Sequence, residues 1–368
     1  MDVYIPLGLL LALFSFIFGR NPKNQNLVFS VVFFAILLFF VLRFGFGPDY
    51  YSYWDIWTNL QGGYDETYVG VGSSIEPLFL RFLAFFPKYS YFIAVSSLLF
   101  VASYFFLFRK YVSEYLWIVV LFLFFNSNCL LGNSVAMRTM ICGFLFIIAF
   151  FFLTKGDFKS RVIYALIIVL ASRIHSSSIV LLLLVLLNHN QKSILYNWYF
   201  VAVVGLFSVL SVLIGNNIVV SGLSSLLIDN IETFDRYQEY ELGNVSSSFM
   251  ALMFRLVSLA IVLFLVKSAR NNNKQEDVMI YKIAIIGALI QLIFGQSLVS
   301  DRYLMIINPF YIIAVVKSFK IEKSSLVRVM ISIFVLGISV YLFTVKIGKD
   351  YSASFLEYQT IFSQPIIP

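Results

Sequence analysis

The chain has 368 residues, 60% of them hydrophobic and 12% charged, with a formal net charge of +7. A soluble core of this length does not need that apolar content, and the basic excess sits in short segments beside apolar runs, which excludes a nucleic-acid surface as its cause. Two cysteines and two histidines exclude a disulfide framework and an ordinary zinc site.

Val3–Phe18 is apolar, has no basic flank before it, and is followed by Arg20 and Lys23. That order predicts a retained first helix with an outside N-terminus rather than a cleaved leader. Leu27–Phe44, Tyr89–Phe108, Gly132–Leu153, Phe249–Val266 and Ser324–Phe343 follow; runs of about 20 residues span a ~30 Å hydrocarbon layer. They are continuously apolar rather than alternating, so they predict helices, not barrel strands.

Lys and Arg crowd into alternate connections, among them Arg109 and Lys110, Lys155 to Arg161, Lys267 to Lys274, and Lys317 to Arg328. The positive-inside rule places these in the cytoplasm. Two segments, 46–76 and 215–248, are acidic with at most one basic residue, Arg236, and are predicted as the longer outside loops. Val162–Leu187 is one apolar run interrupted by Ser-Arg-Ile-His-Ser at 172–176. As one helix it would invert every later loop. Two short helices meeting near Arg173 and His175 restore the alternation, and irregular backbone at depth is tolerated where it lines a cavity. The expectation is an all-α polytopic protein, one transmembrane domain over residues 1–368, with about twelve helical passes.

Arg43, Arg81, Arg138, Arg173, Arg255 and Arg302 each fall inside or at one edge of an apolar run. A charge at bilayer depth costs at least ~2.5–3.5 kcal/mol, so it faces a cavity and has a partner. All six are Arg, whose planar fork grips carboxylate or phosphate bidentately. In the predicted topology all six lie toward the outer leaflet, against the positive-inside bias. One polar cavity built for an anion, such as a lipid diphosphate, accounts for the pattern.

Several motifs accompany the arginines. Residues 43–57 read RFGFGPDYYSYWDIW: a glycine-proline turn, then Asp49, then Tyr50, Tyr53 and Trp54 as a platform for sugar rings, with an interfacial aromatic belt as the alternative. Glu76-Pro77 opens a short helix over 77–86, and capping alone also accounts for Glu76. His175 beside Arg173 can act as a base or donate to phosphate. Asp301-Arg302-Tyr303 stands at the outer end of a span, where an internal Asp–Arg pair is the competing reading. His189 reads as solvated, and Cys129 and Cys142 as packing. No P-loop, dinucleotide fingerprint or HExxH is present. No metal site or cofactor is expected.

Taken in order over roughly residues 40–310, these pieces resemble the EpsG branch of the Wzy-type polysaccharide polymerases: RFGFGPDYYSYW at 43–54, Glu76-Pro77, Arg138 early in a span, the basic hairpin KGDFKSR before Ala171-Ser-Arg-Ile-His-Ser-Ser, and Asp301-Arg302-Tyr303. The resemblance implies a GT-C-like architecture in the bacterial plasma membrane with an outward active site. It implies a glycosyltransferase that joins oligosaccharide repeat units carried on undecaprenyl diphosphate and releases that lipid. On this basis Arg138, Arg173, Arg255, Arg302 and Arg43 are candidates for diphosphate binding, and Tyr50, Tyr53, Trp54, Asp301 and Tyr303 for sugar binding. Asp49 is the first candidate for the base, with His175 second and Glu76 third. A chain-length regulator and a flippase are the implied protein partners. An O-antigen ligase uses the same donor and is the nearest rival. A flippase would want internal repeats and charge through the full depth, and an acyl-CoA-dependent acyltransferase a cytoplasmic cavity.

Overall fold

The computed structural model describes residues 3–19, 21–47, 49–63, 75–190, 193–213, 249–272, 274–294, 298–348 and 359–360. Residues 64–74 of the first acidic loop and all of the second, 215–248, lie outside these, as does Pro48. Of the described residues 84% are helical, and the chain is an all-α polytopic membrane protein. Among the described residues four helices, Tyr89–Val112, Leu252–Asn271, Asp277–Phe294 and Asp301–Ile321, have the length and hydropathy to cross a bilayer, and shorter apolar helices accompany them. The chain divides into two compact units, Met1–Asn188 with Val340–Pro368, and His189–Ser339.

The first unit comprises α1 (Tyr4–Phe18), α2 (Gln25–Val41), a two-residue strand β1 (Arg43–Phe44), α3 (Asp49–Gln61), α4 (Pro77–Ala84), α5 (Tyr89–Val112), α6 (Leu116–Phe125), α7 (Leu130–Val135), α8 (Met137–Leu153), α9 (Phe158–Ser172) and a three-ten helix (Ser176–Leu186). β1 pairs antiparallel with β2 (Gln359–Thr360). α1 packs on α6 so closely that a Cβ at Gly8 would stand 2.6 Å from the Phe124 ring; small residues permit such approach where lipid supplies no hydrophobic drive. Tyr4 is buried there, its hydroxyl donating to the Phe124 carbonyl at 2.9 Å. α5 packs on α2 and α8, and α8 on α9.

The turn from α2 into α3 uses Gly45 at φ 62° and Gly47 at φ 95°, a region that L side chains avoid. The chain after it is helical rather than a loop: the predicted aromatic segment forms α3. α3 lies against α4, held by Trp57 Nε1 donating to the Phe86 carbonyl at 2.9 Å and Gln61 Nε2 to that of Ala84 at 3.0 Å.

The predicted break in 162–187 is present. Asp157 caps α9, accepting from the Ser160 N–H at 2.9 Å. α9 ends at Ser172, and His175 is extended at φ −150°, ψ 109° before the three-ten helix begins. The chain then runs back along α9. The Tyr164 hydroxyl donates to the Leu181 carbonyl at 2.5 Å, and Arg161 donates to those of Val185 and Leu187 at 3.4 Å. This reversal puts Arg173 and His175 at one end of α9 and Lys159 and Arg161 at the other.

The second unit contains α10 (Trp198–Leu213), α11 (Phe249–Asn271), α12 (Gln275–Phe294), α13 (Leu298–Ile321) and the first part of α14 (Ser325–Gly348). α12 packs along α13, where a Cβ at Gly287 would meet Ile307 at 2.6 Å, and α11 packs on α10, α12 and α13.

Candidate functional site

Glu76 stands where the chain enters α4, extended at φ −66°, ψ 135°, with Pro77 in the first turn. Its side chain makes no capping bond to α4, so capping does not account for it. Its carboxylate reaches two distant segments instead. Oε2 accepts from Arg138 Nη1 at 2.7 Å, and Oε1 accepts from the Ser176 backbone N–H at 2.5 Å. His175 Nδ1 lies 3.6 Å from Oε1. One carboxylate thus ties the entry to α4, the first turn of α8 and the start of the three-ten helix.

Arg138 is placed by the break at Ala136, whose φ −83°, ψ 74° ends α7 and starts α8. Its Nε donates to the Tyr53 hydroxyl at 3.1 Å, which adds α3 to the cluster. Side-chain exposure is 18% for Arg138, 16% for Glu76 and 7% for His175: Arg138 keeps an opening to solvent while His175 is nearly enclosed. Its Nη2 has no hydrogen-bond partner among the described residues, leaving a charged donor available to an anion. Cys142, one turn further along α8, is buried with Sγ donating to the Ala171 carbonyl at 3.4 Å.

Glu76 precedes α4, outside the spanning helices. Burial disfavours its charged form, but the His175 side chain, the Arg138 guanidinium and the Ser176 N–H outweigh that and hold its pKa at about 2. A carboxylate so stabilised is ionised at neutral pH and is a weak base.

The other sequence candidates of this unit are placed differently. Arg173 is exposed, two residues from His175, and its side chain makes no hydrogen bond or ion pair among the described residues. Asp49 lies in the first turn of α3, four residues before Tyr53 and so on the same helix face. Arg43 is fully buried, with Nη1 donating to the Ser134 carbonyl at 2.8 Å and its guanidinium over the Phe40 ring at 5.2 Å. Arg81 lies in the last turn of α4. Tyr50 is buried among Phe44, Tyr51, Trp54 and Tyr89, and Tyr53 is buried against Phe79. The open ring belongs to Tyr51, 50% exposed and stacked 6.4 Å from Trp54 at 18°. Of the predicted platform, Trp54 thus lies on an accessible surface, and Tyr51 joins it; the alternation of buried and open positions along α3 separates them from Tyr50 and Tyr53.

Arg255, Asp301, Arg302 and Tyr303 belong to the second unit. Arg255 is buried on α11, and its Nη1 donates to the Gln291 carbonyl at 3.3 Å. Asp301 occupies the first turn of α13, where an acid complements the helix dipole, and Arg302 and Tyr303 follow in the same turn. Toward the opposite ends of these helices the charges are paired: Lys317 with Asp277 at 2.8 Å, and Lys267 with Glu322 at 2.7 Å. Lys282, on α12, was not flagged by the arginine pattern. It is 1% exposed, donates to the Asn190 carbonyl at 2.8 Å and lies over the Tyr196 ring; a lone Lys inside an apolar run is the signal that marks it.

A family model described as the EpsG family matches residues 26–360. The chain belongs to the EpsG family. No curated protein and no solved structure matches it.

Every residue of the cluster on Glu76, from Tyr53 to Ser176, lies inside the EpsG match. Membership, with the apolar helices, makes this a membrane protein of polysaccharide biosynthesis and a glycosyltransferase-like polymerase. The cluster holds a guanidinium edge, a group that stabilises negative charge, and an imidazole, a group that carries a proton.

Proposed function

We propose that this EpsG-family protein joins oligosaccharide repeat units carried on undecaprenyl diphosphate at the outer face of the bacterial plasma membrane. The observation that carries the reading is the convergence of Arg138 and the His175–Ser176 segment on Glu76, with Arg138 62 and Ser176 100 residues along the chain from it. The cluster sits at the ends of α8 and α9 opposite Lys155, Lys159 and Arg161. Those basic residues mark the cytoplasmic side, so the cluster faces outward.

In this reading Arg138 stabilises the departing diphosphate as charge develops on it, with Arg173 beside it. Arg255 and Arg302 belong to the second unit and are anion-binding candidates of that unit taken by itself. Arg43, buried on Ser134, holds the turn between α2 and α3. Asp49 orients the acceptor hydroxyl from α3, His175 takes its proton, and Tyr51 and Trp54 offer the sugar a flat apolar face. Asp301 and Tyr303 are sugar-binding candidates of the second unit taken by itself. No metal or cofactor enters. The donor and acceptor are both lipid-linked oligosaccharides, and a flippase and a chain-length regulator are the partners such a pathway supplies.

The test is reconstitution of the purified protein with lipid-linked repeat units extracted from producing cells that lack it. Release of undecaprenyl diphosphate together with a ladder of longer glycans supports the polymerase. A single addition onto a lipid A core with no ladder would make it a ligase. Movement of the lipid-linked unit across vesicles without new glycosidic bonds would make it a flippase.

A further inference from the structure

We infer that Tyr53 is a positioning residue: with Glu76 it fixes the plane of the Arg138 guanidinium, so that Nη2 is presented to the departing diphosphate. The inference deepens the polymerase reading and rests on it. Tyr53 is 5% exposed, and its ring lies against Phe79, with centroids 5.4 Å apart at 59°. A residue so covered offers no face to a sugar. Its hydroxyl is spent on a protein group instead, accepting from Arg138 Nε at 3.1 Å.

A guanidinium is planar and carries five N–H bonds. Arg138 commits Nε to Tyr53 and Nη1 to Glu76 Oε2 at 2.7 Å. One anchor alone would let the group turn about that contact; two anchors on different nitrogens hold its plane. The N–H bonds of Nη2 meet no acceptor among the described residues, and the side chain keeps 18% exposure. α4 sets both anchors. Glu76 stands at its entry and Phe79 three residues on, and Trp57 and Gln61 fasten α3 to its other end. Phenol and carboxylate are thus held in one frame.

The two anchors differ in charge. A second carboxylate in the place of Tyr53 would repel the diphosphate. A phenol oxygen accepts the hydrogen bond without adding an anion. In the transfer, the acceptor oxygen bonds to the anomeric carbon, and the acceptor's proton ends on water. The bond from that carbon to the diphosphate oxygen breaks, and its electron pair leaves with undecaprenyl diphosphate. A donor held in place before that charge develops needs no reorganisation to meet it. Tyr53 touches neither reacting partner.

The test compares wild type, Tyr53→Phe, Phe79→Leu, Arg138→Lys and the double variant Tyr53→Phe/Arg138→Lys, using extracted lipid-linked repeat units and release of undecaprenyl diphosphate. Tyr53→Phe keeps the ring on Phe79 and removes one oxygen. It is expected to lower kcat roughly tenfold, with KM for donor and acceptor unchanged. Lys cannot span Tyr53 and Glu76 at once, so in the Arg138→Lys background the same change is expected to have little further effect. Phe79→Leu keeps every polar partner and loosens the seat of the phenol. A smaller fall in kcat at unchanged KM is expected from it, and it carries the test if Tyr53→Phe does not accumulate; an unchanged kcat there overturns the inference. A raised acceptor KM with kcat held in Tyr53→Phe would return Tyr53 to the sugar and overturn it too. Full activity of Tyr53→Phe, or equal losses in both backgrounds, would make Tyr53 a packing residue and overturn the inference while the polymerase stands. A wild-type protein that releases no undecaprenyl diphosphate overturns the reading beneath it, and the inference with it.

Discussion

Glu76 Oε2 lies 2.7 Å from Arg138 Nη1, with both side chains more than four-fifths buried. A pair so enclosed differs from a surface salt bridge, whose worth is close to nothing. Removing either partner strands the other charge in a poorly solvated site.

Arg138→Lys keeps the charge and loses the fork that spans Tyr53 and Glu76 at once. Losing one charged hydrogen bond costs ~1.5–3 kcal/mol, so turnover is expected to fall roughly tenfold or more. Steady-state kinetics on extracted lipid-linked units measures it. Unchanged turnover would remove Arg138 from the diphosphate site.

The pH dependence separates Glu76 from His175. Glu76 has a folded pKa of about 2 against an ordinary 4.5. A carboxylate depressed by folding contributes stability that is present above the ordinary value and lost as pH falls through the folded one. That contribution is flat between about pH 5 and 8, the window in which imidazole titrates. An activity limb in that window is expected in wild type and absent from the residual activity of His175→Gln. A limb that survives in His175→Gln assigns the proton acceptor elsewhere.

Asp49→Asn tests the division of labour on α3. Asn keeps shape and removes charge. The expected phenotype is accumulation of single repeat units with normal protein levels, and a milder loss than His175→Ala produces. The reverse ranking, with Asp49→Asn the more severe, would transfer the proton to Asp49.

Arg43→Lys probes packing. The Ser134 carbonyl is buried, and leaving a buried acceptor unmade costs about 1–3 kcal/mol. A lower midpoint of thermal unfolding in detergent, with KM for the donor unchanged, is expected. Full stability with a raised KM would return Arg43 to the diphosphate.

Tyr51→Ala removes the exposed half of the stacked pair. Aromatic contacts of this kind are worth ~0.5–1.5 kcal/mol beyond burial, so the acceptor KM is expected to rise about two- to tenfold while stability holds. For orientation, impermeant thiol reagents are expected to label Asn59→Cys from outside and Lys159→Cys only after permeabilisation, both native cysteines being buried. Labelling of both from one side would defeat the outward assignment.

Much of this protein is set by its sequence alone, because lipid imposes a coarse rule. Continuous apolar runs must become helices, since no other open structure satisfies its backbone in hydrocarbon. The break near Arg173 was legible for the same reason: one unbroken helix contradicts the distribution of Lys and Arg, and Ser172 to Ser176 supply polar groups where the turn occurs. The arginines were visible as costly charges. Their partners were not, because an ion pair depends on distances across the fold. Glu76 could be read as a cap, since Glu before Pro at a helix start suits the dipole; only packing turned its carboxylate from α4 toward Arg138 and Ser176. Tyr50, Tyr51, Tyr53 and Trp54 are equivalent as a list of aromatics. The helical phase of α3 and its contact with α4 decide that Tyr50 and Tyr53 are buried and Tyr51 is open. Arg43 and Arg138 carry the same side chain, and tertiary structure alone gives one a carbonyl in a sealed pocket and the other a carboxylate with an edge left free.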